Sequence, residues 1–147
     1  MIRRCPSCDQ KNRIPARRLA DTGRCGKCKA ALPPVDAPLN VGRKEFDEII
    51  GGAKVPVLVD FWADWCQPCR MAAPQVKQAA HNLAGKALVL KVDTEQSPEL
   101  AQRYDVRGIP NFAVLKNGKL VLQQAGLVDH RQLERWAAQA ARGELSG

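Results

Sequence analysis

The spacing of apolar positions changes several times along the chain. Between Arg43 and Ile50, Phe46, Ile49 and Ile50 recur at helical spacing, and Gly51-Gly52 predicts the end of that helix. Val55–Trp62 is a continuous apolar run with β-branched residues, the pattern of a strand buried on both faces. A helix is expected from about Cys66 to Leu83, interrupted at Pro74, and a strand over Ala87–Val92. Ser97-Pro98-Glu99 sets a capping residue before a proline suited to the first helical position, opening a short helix that ends near Tyr104. Phe112–Leu115 and Leu120–Gln124 flank Asn117-Gly118, the signal of a hairpin. A capping box, Asp129-x-x-Gln132, starts a last helix with Leu133, Trp136, Ala137 and Ala140 on its apolar face and Gly143 at its end. Leu39–Val41 adds a short strand. The order predicts an α/β domain: a mixed sheet, parallel at its centre with an antiparallel hairpin, and helices on both faces. Phe46, Tyr104, Phe112 and Trp136 are assigned to its core.

The first quarter of the chain reads differently. Between Asp9 and Arg24 the apolar residues are Ile14, Ala16, Leu19 and Ala20, too few to form a core alone. Residues 31–38, with Pro33, Pro34 and Pro38, read as a semi-rigid linker. The expected organisation is therefore a small segment over 1–30, a linker over 31–38 and the main domain over 39–147. With 147 residues, 45% hydrophobic and 26% charged, the composition is that of a soluble globular protein. No apolar run approaches the ~20 residues that cross a bilayer, so no membrane association is expected. No apolar stretch follows Arg3 and Arg4, which excludes a secretory leader and makes the cytoplasm the expected compartment. The net charge of +8 is concentrated: residues 1–40 hold nine Lys/Arg against three Asp/Glu.

All six cysteines lie in Cys-x-x-Cys pairs. In a reducing compartment such pairs point to metal binding or catalytic redox chemistry. Cys5/Cys8 and Cys25/Cys28 have the spacing of a four-cysteine zinc site, each pair turning two sulfurs toward one point. Four protein ligands leave no open position, so one structural Zn²⁺ per chain is expected, with disulfide pairing as the alternative. Four thiolates around one Zn²⁺ leave two negative charges, which Arg3, Arg4, Lys11, Arg24, Lys27 and Lys29 offset. The surplus charge thus needs no nucleic acid. Oxidation of the thiolates removes the ligands, which makes the site a candidate redox sensor.

Cys66-Gln67-Pro68-Cys69 follows directly on a buried strand and opens a helix. Functional groups collect at the carboxyl ends of strands in such sheets, and a helix N-terminus favours a thiolate. A spacing of three lets the two sulfurs meet in a disulfide. A two-ligand metal site and a pair of inert buried thiols are the competing readings. Both are weaker, since no second pair is left to complete a metal site.

Val59-Asp60-Phe61-Trp62-Ala63-Asp64-Trp65-Cys66-Gln67-Pro68-Cys69 resembles the active-site segment of thioredoxins. Gly108-Ile109-Pro110, Lys116-Asn117-Gly118 and Gly126 match that family in order and spacing. With the four-cysteine segment in front, the chain is similar to the thioredoxin-2 type of bacteria. The resemblance implies a thioredoxin-like fold and a thiol–disulfide oxidoreductase that reduces protein disulfides, re-reduced by an NADPH-dependent flavoenzyme, thioredoxin reductase. It implies that Cys66 attacks, Cys69 resolves and Asp60, beneath Cys69, accepts its proton. It further implies that Trp65, Gln67, Pro68, Ile109, a cis Pro110 and Gly126 form the substrate groove. No cofactor beyond the redox disulfide is expected in that domain, and the chain is expected to be a monomer.

Three residues depart from the family pattern. Gln67 replaces a glycine, Asn111 stands where threonine is usual, and Val89 occupies the place of a buried lysine, with Lys91 two residues on. Two other functions compete: an oxidase or isomerase working in the opposite direction, and a binding module whose basic segment docks a nucleic acid or protein. The absence of a leader opposes the first. The intact Cys66, Cys69, Asp60 and Pro110 oppose the second. His81 and His130 carry no assigned role.

Overall fold

The computed structural model describes residues 1–145, so the last two positions of the expected 39–147 domain lie outside the described residues. In chain order the elements are β1 (Ile2–Arg4), β2 (Lys11–Arg13), a 3-10 turn (Ala16–Arg18), β3 (Gly23–Arg24), β4 (Ala31–Leu32) and β5 (Leu39–Asn40). They continue with α1 (Arg43–Gly52), β6 (Val57–Trp62), α2 (Gln67–Asn82), β7 (Leu88–Asp93), α3 (Pro98–Arg103), β8 (Asn111–Lys116), β9 (Lys119–Ala125) and α4 (His130–Ala141). The main sheet runs β5-β7-β6-β8-β9. Its first three strands are parallel and the β8–β9 hairpin is antiparallel, as the alternating pattern predicts. Asn117 and Gly118 both take positive φ, 54° and 77°, at the hairpin turn. No helix among the described residues is long and apolar enough to cross a membrane.

Alternation along β6 divides the core. Val57, Val59 and Phe61 pack with Phe46 and Ile49 of α1 and Leu100 of α3. Leu58 faces the other way, against Val76 and Ala79 of α2 and Leu133 and Trp136 of α4. Asp60 and Trp62 share that second face by the same period.

Most element boundaries differ from expectation by one residue, α2 runs through Pro74 as one helix, and two of the differences have a local cause. Gly51 and Gly52 lie inside the last turn of α1, where the Ala53 N–H donates to the Ile49 carbonyl at 2.8 Å. The 3-10 turn rests on that turn: a Cβ on Gly52 would stand 3.4 Å from the Arg17 nitrogen and 3.6 Å from the Ala16 Cβ. Strand β6 starts at Val57, because Pro56 has no N–H for the ladder; its carbonyl still accepts from the Leu88 N–H at 3.0 Å.

The N-terminal segment is built from two antiparallel pairs, β1–β2 and β3–β4. Cys5, Cys25 and Leu32 form a small buried cluster, with Ile14 and Ala30 against it, and the other apolar residues of the segment join the core of the main domain. Leu19 is 1% exposed and sits in one cluster with Phe46, Ile49, Val57 and Leu88, and Ile14, Ala16 and Ala20 pack against it. The stretch 31–38 starts with β4 and buries Val35, whose N–H donates to the Leu19 carbonyl at 3.0 Å. The Arg3 guanidinium donates to the Pro33 carbonyl.

The segment sits where β6 and β7 begin. Asp21 lies 4.0 Å from the Lys54 ammonium, and a Cβ on Gly85 would lie 3.7 Å from Pro34 and 3.8 Å from the Ala20 carbonyl. Cys66 lies at the opposite end of β6, about 20 Å away for a six-residue strand.

Candidate active site and metal centre

Four chain segments meet at the end of the sheet where β6, β7 and β9 finish and β8 starts. Cys66 follows β6 with extended backbone, φ −86° and ψ 109°, and is the N-cap of α2. Its Sγ accepts the Cys69 N–H at 3.1 Å, the bond that an oxygen side chain supplies at an ordinary N-cap. Cys66 and Cys69 form a disulfide with their Cα atoms 5.2 Å apart. Cys66 and Cys69 are both buried, 3% and 5% exposed. Gln67 and Pro68 form the first turn of α2, where a missing N–H removes no helical hydrogen bond.

The Ile109–Pro110 peptide is cis, and the Ile109 carbonyl oxygen lies 3.6 Å from the Cys66 Sγ. Gly126 follows β9 at φ 106°, a conformation that side chains rarely adopt, and its N–H donates to the Pro110 carbonyl at 2.8 Å. Trp65 is 66% exposed beside Cys66. Its indole Nε1 donates to the Glu95 carboxylate at 2.8 Å, and the Arg70 guanidinium donates to the Asp64 carbonyl at 2.6 Å. The expected groove residues Trp65, Gln67, Pro68, Ile109, Pro110 and Gly126 thus all lie at this end of the sheet. Glu95 is an addition: it lies in a loop thirty residues from Trp65, and no local pattern singles it out.

Asp60 is 2% exposed on the face covered by α2, and its Oδ1 has no hydrogen-bond partner. Burial pushes its carboxyl up to about 7, against a smaller opposite pull from the Lys91 charge. The parallel register of β6 with β7 sets Lys91 opposite Asp60 and Val89 opposite Leu58. Lys91, two residues beyond Val89, thus lies beside the carboxylate on the same face, as its spacing predicts, and Val89 is buried in the core. The Lys91 ammonium also lies 4.7 Å from the centre of the Trp62 ring. A cleft of about 100 Å³ runs between Cys69, Ala73, Trp62 and Lys91, space for water beside Cys69.

At the other end, Cys5, Cys8, Cys25 and Cys28 are unbonded thiols whose four sulfurs lie within 4.8 Å of one another. Cys5–Cys28 and Cys8–Cys25 are each 3.6 Å apart. A tetrahedral ion with sulfurs at ~2.3 Å requires sulfur pairs about 3.8 Å apart, so the four residues fit zinc. The turns aim N–H groups at the sulfurs: Ser7 donates to Cys5 and Lys27 to Cys25, both at 3.4 Å. Asn12 joins the halves, donating to the Cys25 Sγ at 3.6 Å and accepting the Gly26 N–H at 2.9 Å. The N–H groups of Cys28 and Lys27 hold the Cys25 thiol down at about 6. Arg4 is paired with Asp9 at 2.9 Å. His81 and His130 have local partners, Asp36 at 3.5 Å and Glu134 at 2.6 Å.

Comparison with known proteins agrees with this geometry. A family model described as Thioredoxin matches residues 37–139, and a zinc-ribbon model described as Thioredoxin 2, N-terminal, matches residues 4–30. Thioredoxin C-3 of Corynebacterium nephridii is 36% identical over 139 residues, which cover 95% of this chain and 94% of that protein. Thioredoxin 1 of Chlorobaculum tepidum is 42% identical over 89 residues, 60% of this chain and 88% of that one. A mutant thioredoxin from Halobacterium salinarum NRC-1 has a similar solved structure, with a TM-score of 0.65 and 36% identity over 72% of this chain and 91% of its own.

Proposed function

The chain belongs to the thioredoxin family, and from that premise we propose that it reduces protein disulfides in the cytoplasm by dithiol–disulfide exchange through Cys66 and Cys69. The observation that carries the reading is the Cys66–Cys69 disulfide at the N-terminus of α2, faced by the Ile109 carbonyl.

In the dithiol form, the Cys66 thiolate attacks one sulfur of a substrate disulfide. A Cys66–substrate bond forms, and the other substrate sulfur leaves as a thiolate. Cys69 passes its proton to the Asp60 carboxylate through water, and its thiolate attacks the Cys66 sulfur. The second substrate thiolate leaves, and the chain ends as the disulfide. Two electrons have passed to the substrate, whose thiolates take protons from solvent. A base that titrates near 7 is matched to this transfer at neutral pH. An NADPH-dependent flavoenzyme, thioredoxin reductase, returns the electrons. Trp65, Gln67, Pro68, Ile109, Pro110 and Gly126 form the face that meets the substrate.

Residues 1–30 form a zinc-binding segment, 31–38 join it to the thioredoxin domain of 39–147, and the protein works as a monomer. Cys5, Cys8, Cys25 and Cys28 hold one Zn²⁺ whose part is structural. Free thiols at metal spacing suit a reducing cytoplasm. The surplus basic residues serve the charge of the zinc–thiolate cluster, and nucleic acid is not a partner. The site also senses oxidants: peroxide takes two electrons from a pair of thiolates, the sulfurs join as a disulfide, peroxide leaves as water and Zn²⁺ is released. Zinc retained until the catalytic domain itself unfolds in peroxide ends the sensor role. The catalytic reading is tested by insulin reduction with dithiothreitol, wild type against Cys66→Ser; equal rates refute it.

A further inference from the structure

We propose that Gln123 is a positioning residue for this reaction: its side-chain amide ties together the two ends of the loop that presents Ile109 to a disulfide substrate. The proposal rests on the exchange reading given above.

Gln123 lies in β9, opposite Ala113 and diagonal to Asn111 across the β8–β9 ladder. Its Nε2 donates to the Tyr104 carbonyl and to the Asn111 Oδ1, each at 2.9 Å. Both hydrogens of the amide are used. The Tyr104 carbonyl can only accept, so Gln123 must present its NH₂ there, and Asn111 must turn its oxygen toward it.

The two acceptors bracket residues 105–110. Tyr104 is fixed to the core, its ring 5.8 Å from Phe46 and 6.0 Å from Phe61. Asn111 is 6% exposed and paired in the sheet between Phe61 and Ala125. The loop between them is packed only at Val106, Ile109 and Pro110. Arg107 and Gly108 are exposed, and a Cβ on Gly108 would meet nothing within 4 Å. Inside the loop the Val106 N–H donates back to the Ala101 carbonyl at 2.8 Å, and Val106 and Ile109 lean on the core. The Ile109 carbonyl, 3.6 Å from the Cys66 Sγ, therefore takes its position from the two loop ends together with the buried Pro110, whose carbonyl accepts the Gly126 N–H at 2.8 Å. A substrate segment that lies along Ile109 is aligned with Cys66 only while those ends are held. A small disulfide, which needs Cys66 and nothing of the loop, does not depend on them.

The test uses the full chain loaded with zinc, with the variants Gln123→Leu, Asn111→Leu and their double. Gln123→Met serves as a second replacement of similar size. Loss of two such hydrogen bonds should raise the KM for insulin by roughly fivefold to tenfold, with kcat within about twofold. Reduction of a small aromatic disulfide by the dithiol form should stay within about twofold. The double variant should be no worse than the worse single one, because both remove the same tie. Hydrogen exchange of the Val106 amide should speed by about tenfold in Gln123→Leu, whatever the activity. An unchanged KM and unchanged exchange overturn the proposal. So do additive losses in the double variant, or insulin and small-disulfide rates that fall together with the melting temperature. A wild type that does not reduce insulin removes the exchange reading, and the Val106 exchange rate then still decides whether Gln123 holds the loop.

Discussion

Replacing Asp60 with asparagine should convert a pH-dependent protein into one that is more stable in base. Asp60 is almost fully buried, one of its oxygens lacks a partner, and its carboxyl titrates near 7 against an ordinary 3.8. Each pH unit of that rise is ~1.36 kcal/mol, so keeping the carboxylate ionised inside the fold costs roughly 4 kcal/mol. The folded pKa is raised, so the folded state holds a proton that the unfolded chain has released. The stability this proton provides is fully present below the unfolded value and is lost as pH rises through about 7. Asparagine does not titrate. The stability difference, variant minus wild type, should therefore grow by roughly 4 kcal/mol from about pH 4 to about pH 8.5. For a chain of this size that is on the order of 10–15 °C in Tm. Below about pH 4 the variant should be the weaker by about 1–3 kcal/mol, because its amide is buried with too few partners. Urea unfolding of the oxidised form at a series of pH values measures the difference while Cys66 and Cys69 are bonded and silent. A difference that does not vary with pH would mean that Lys91 fully offsets burial, and the argument fails.

Cys66→Ser should abolish disulfide reduction, whereas Cys69→Ser should accumulate a mixed disulfide with substrate, visible as an adduct on a non-reducing gel; trapping by Cys66→Ser in its place reverses the assignment. Leu19→Ala should destabilise the main domain by ~2–5 kcal/mol, since Leu19 shares the cluster of Phe46 and Ile49, and chelation of the metal should likewise lower the melting temperature followed through the tryptophans. Gly51→Ala should stabilise the protein by about 0.5–1 kcal/mol in thermal melts, because its Cβ would meet nothing within 4 Å inside α1.

The main domain was legible because its signals are local. The period change from Val57–Trp62 to Gln67–Asn82, the Asn117-Gly118 turn and the Asp129 cap, whose carboxylate accepts the Gln132 N–H at 2.9 Å, each act within a few residues. Spacing alone likewise placed Cys5, Cys8, Cys25 and Cys28 together. What escaped depends on partners distant in sequence. Gly51-Gly52 reads as a stop, yet both residues belong to the last turn of α1, which the Ala53 N–H closes on the Ile49 carbonyl and on which the Ala16–Arg18 turn rests. Leu19 among arginines reads as a poor core, since nothing nearby says that its core is Phe46 and Ile49. That Lys91 stands directly opposite Asp60 is a matter of strand register, which a single strand does not encode, although the two-residue period already put Lys91 on the face of Val89. Glu95 and Gln123 are ordinary polar residues by sequence, and only the fold brings them to Trp65 and to the ends of the Ile109 loop.

The placement of the N-terminal segment limits what its metal can do to the chemistry. It meets the sheet where β6 and β7 begin, and the redox cysteines lie a full strand length away. At ~20 Å, about two Debye lengths at physiological salt, its positive charges act little on Cys66 through solvent. Among the described residues, its contacts with the main domain are with α1 and the starts of β6 and β7, away from Trp65 and Pro110. What it does share is the cluster of Leu19, Val35, Phe46, Ile49, Val57 and Leu88. The same cluster reaches Phe61, which packs on Tyr104, whose carbonyl is one anchor of the Gln123 tie. Loss of the four-cysteine fold would first expose Leu19 and Val35 and loosen α1, and would reach the Ile109 loop only through Phe46, Phe61 and Tyr104. Metal loss should therefore act on the proposed reaction through the stability of one half of the core, and its effect on rate should follow its effect on unfolding.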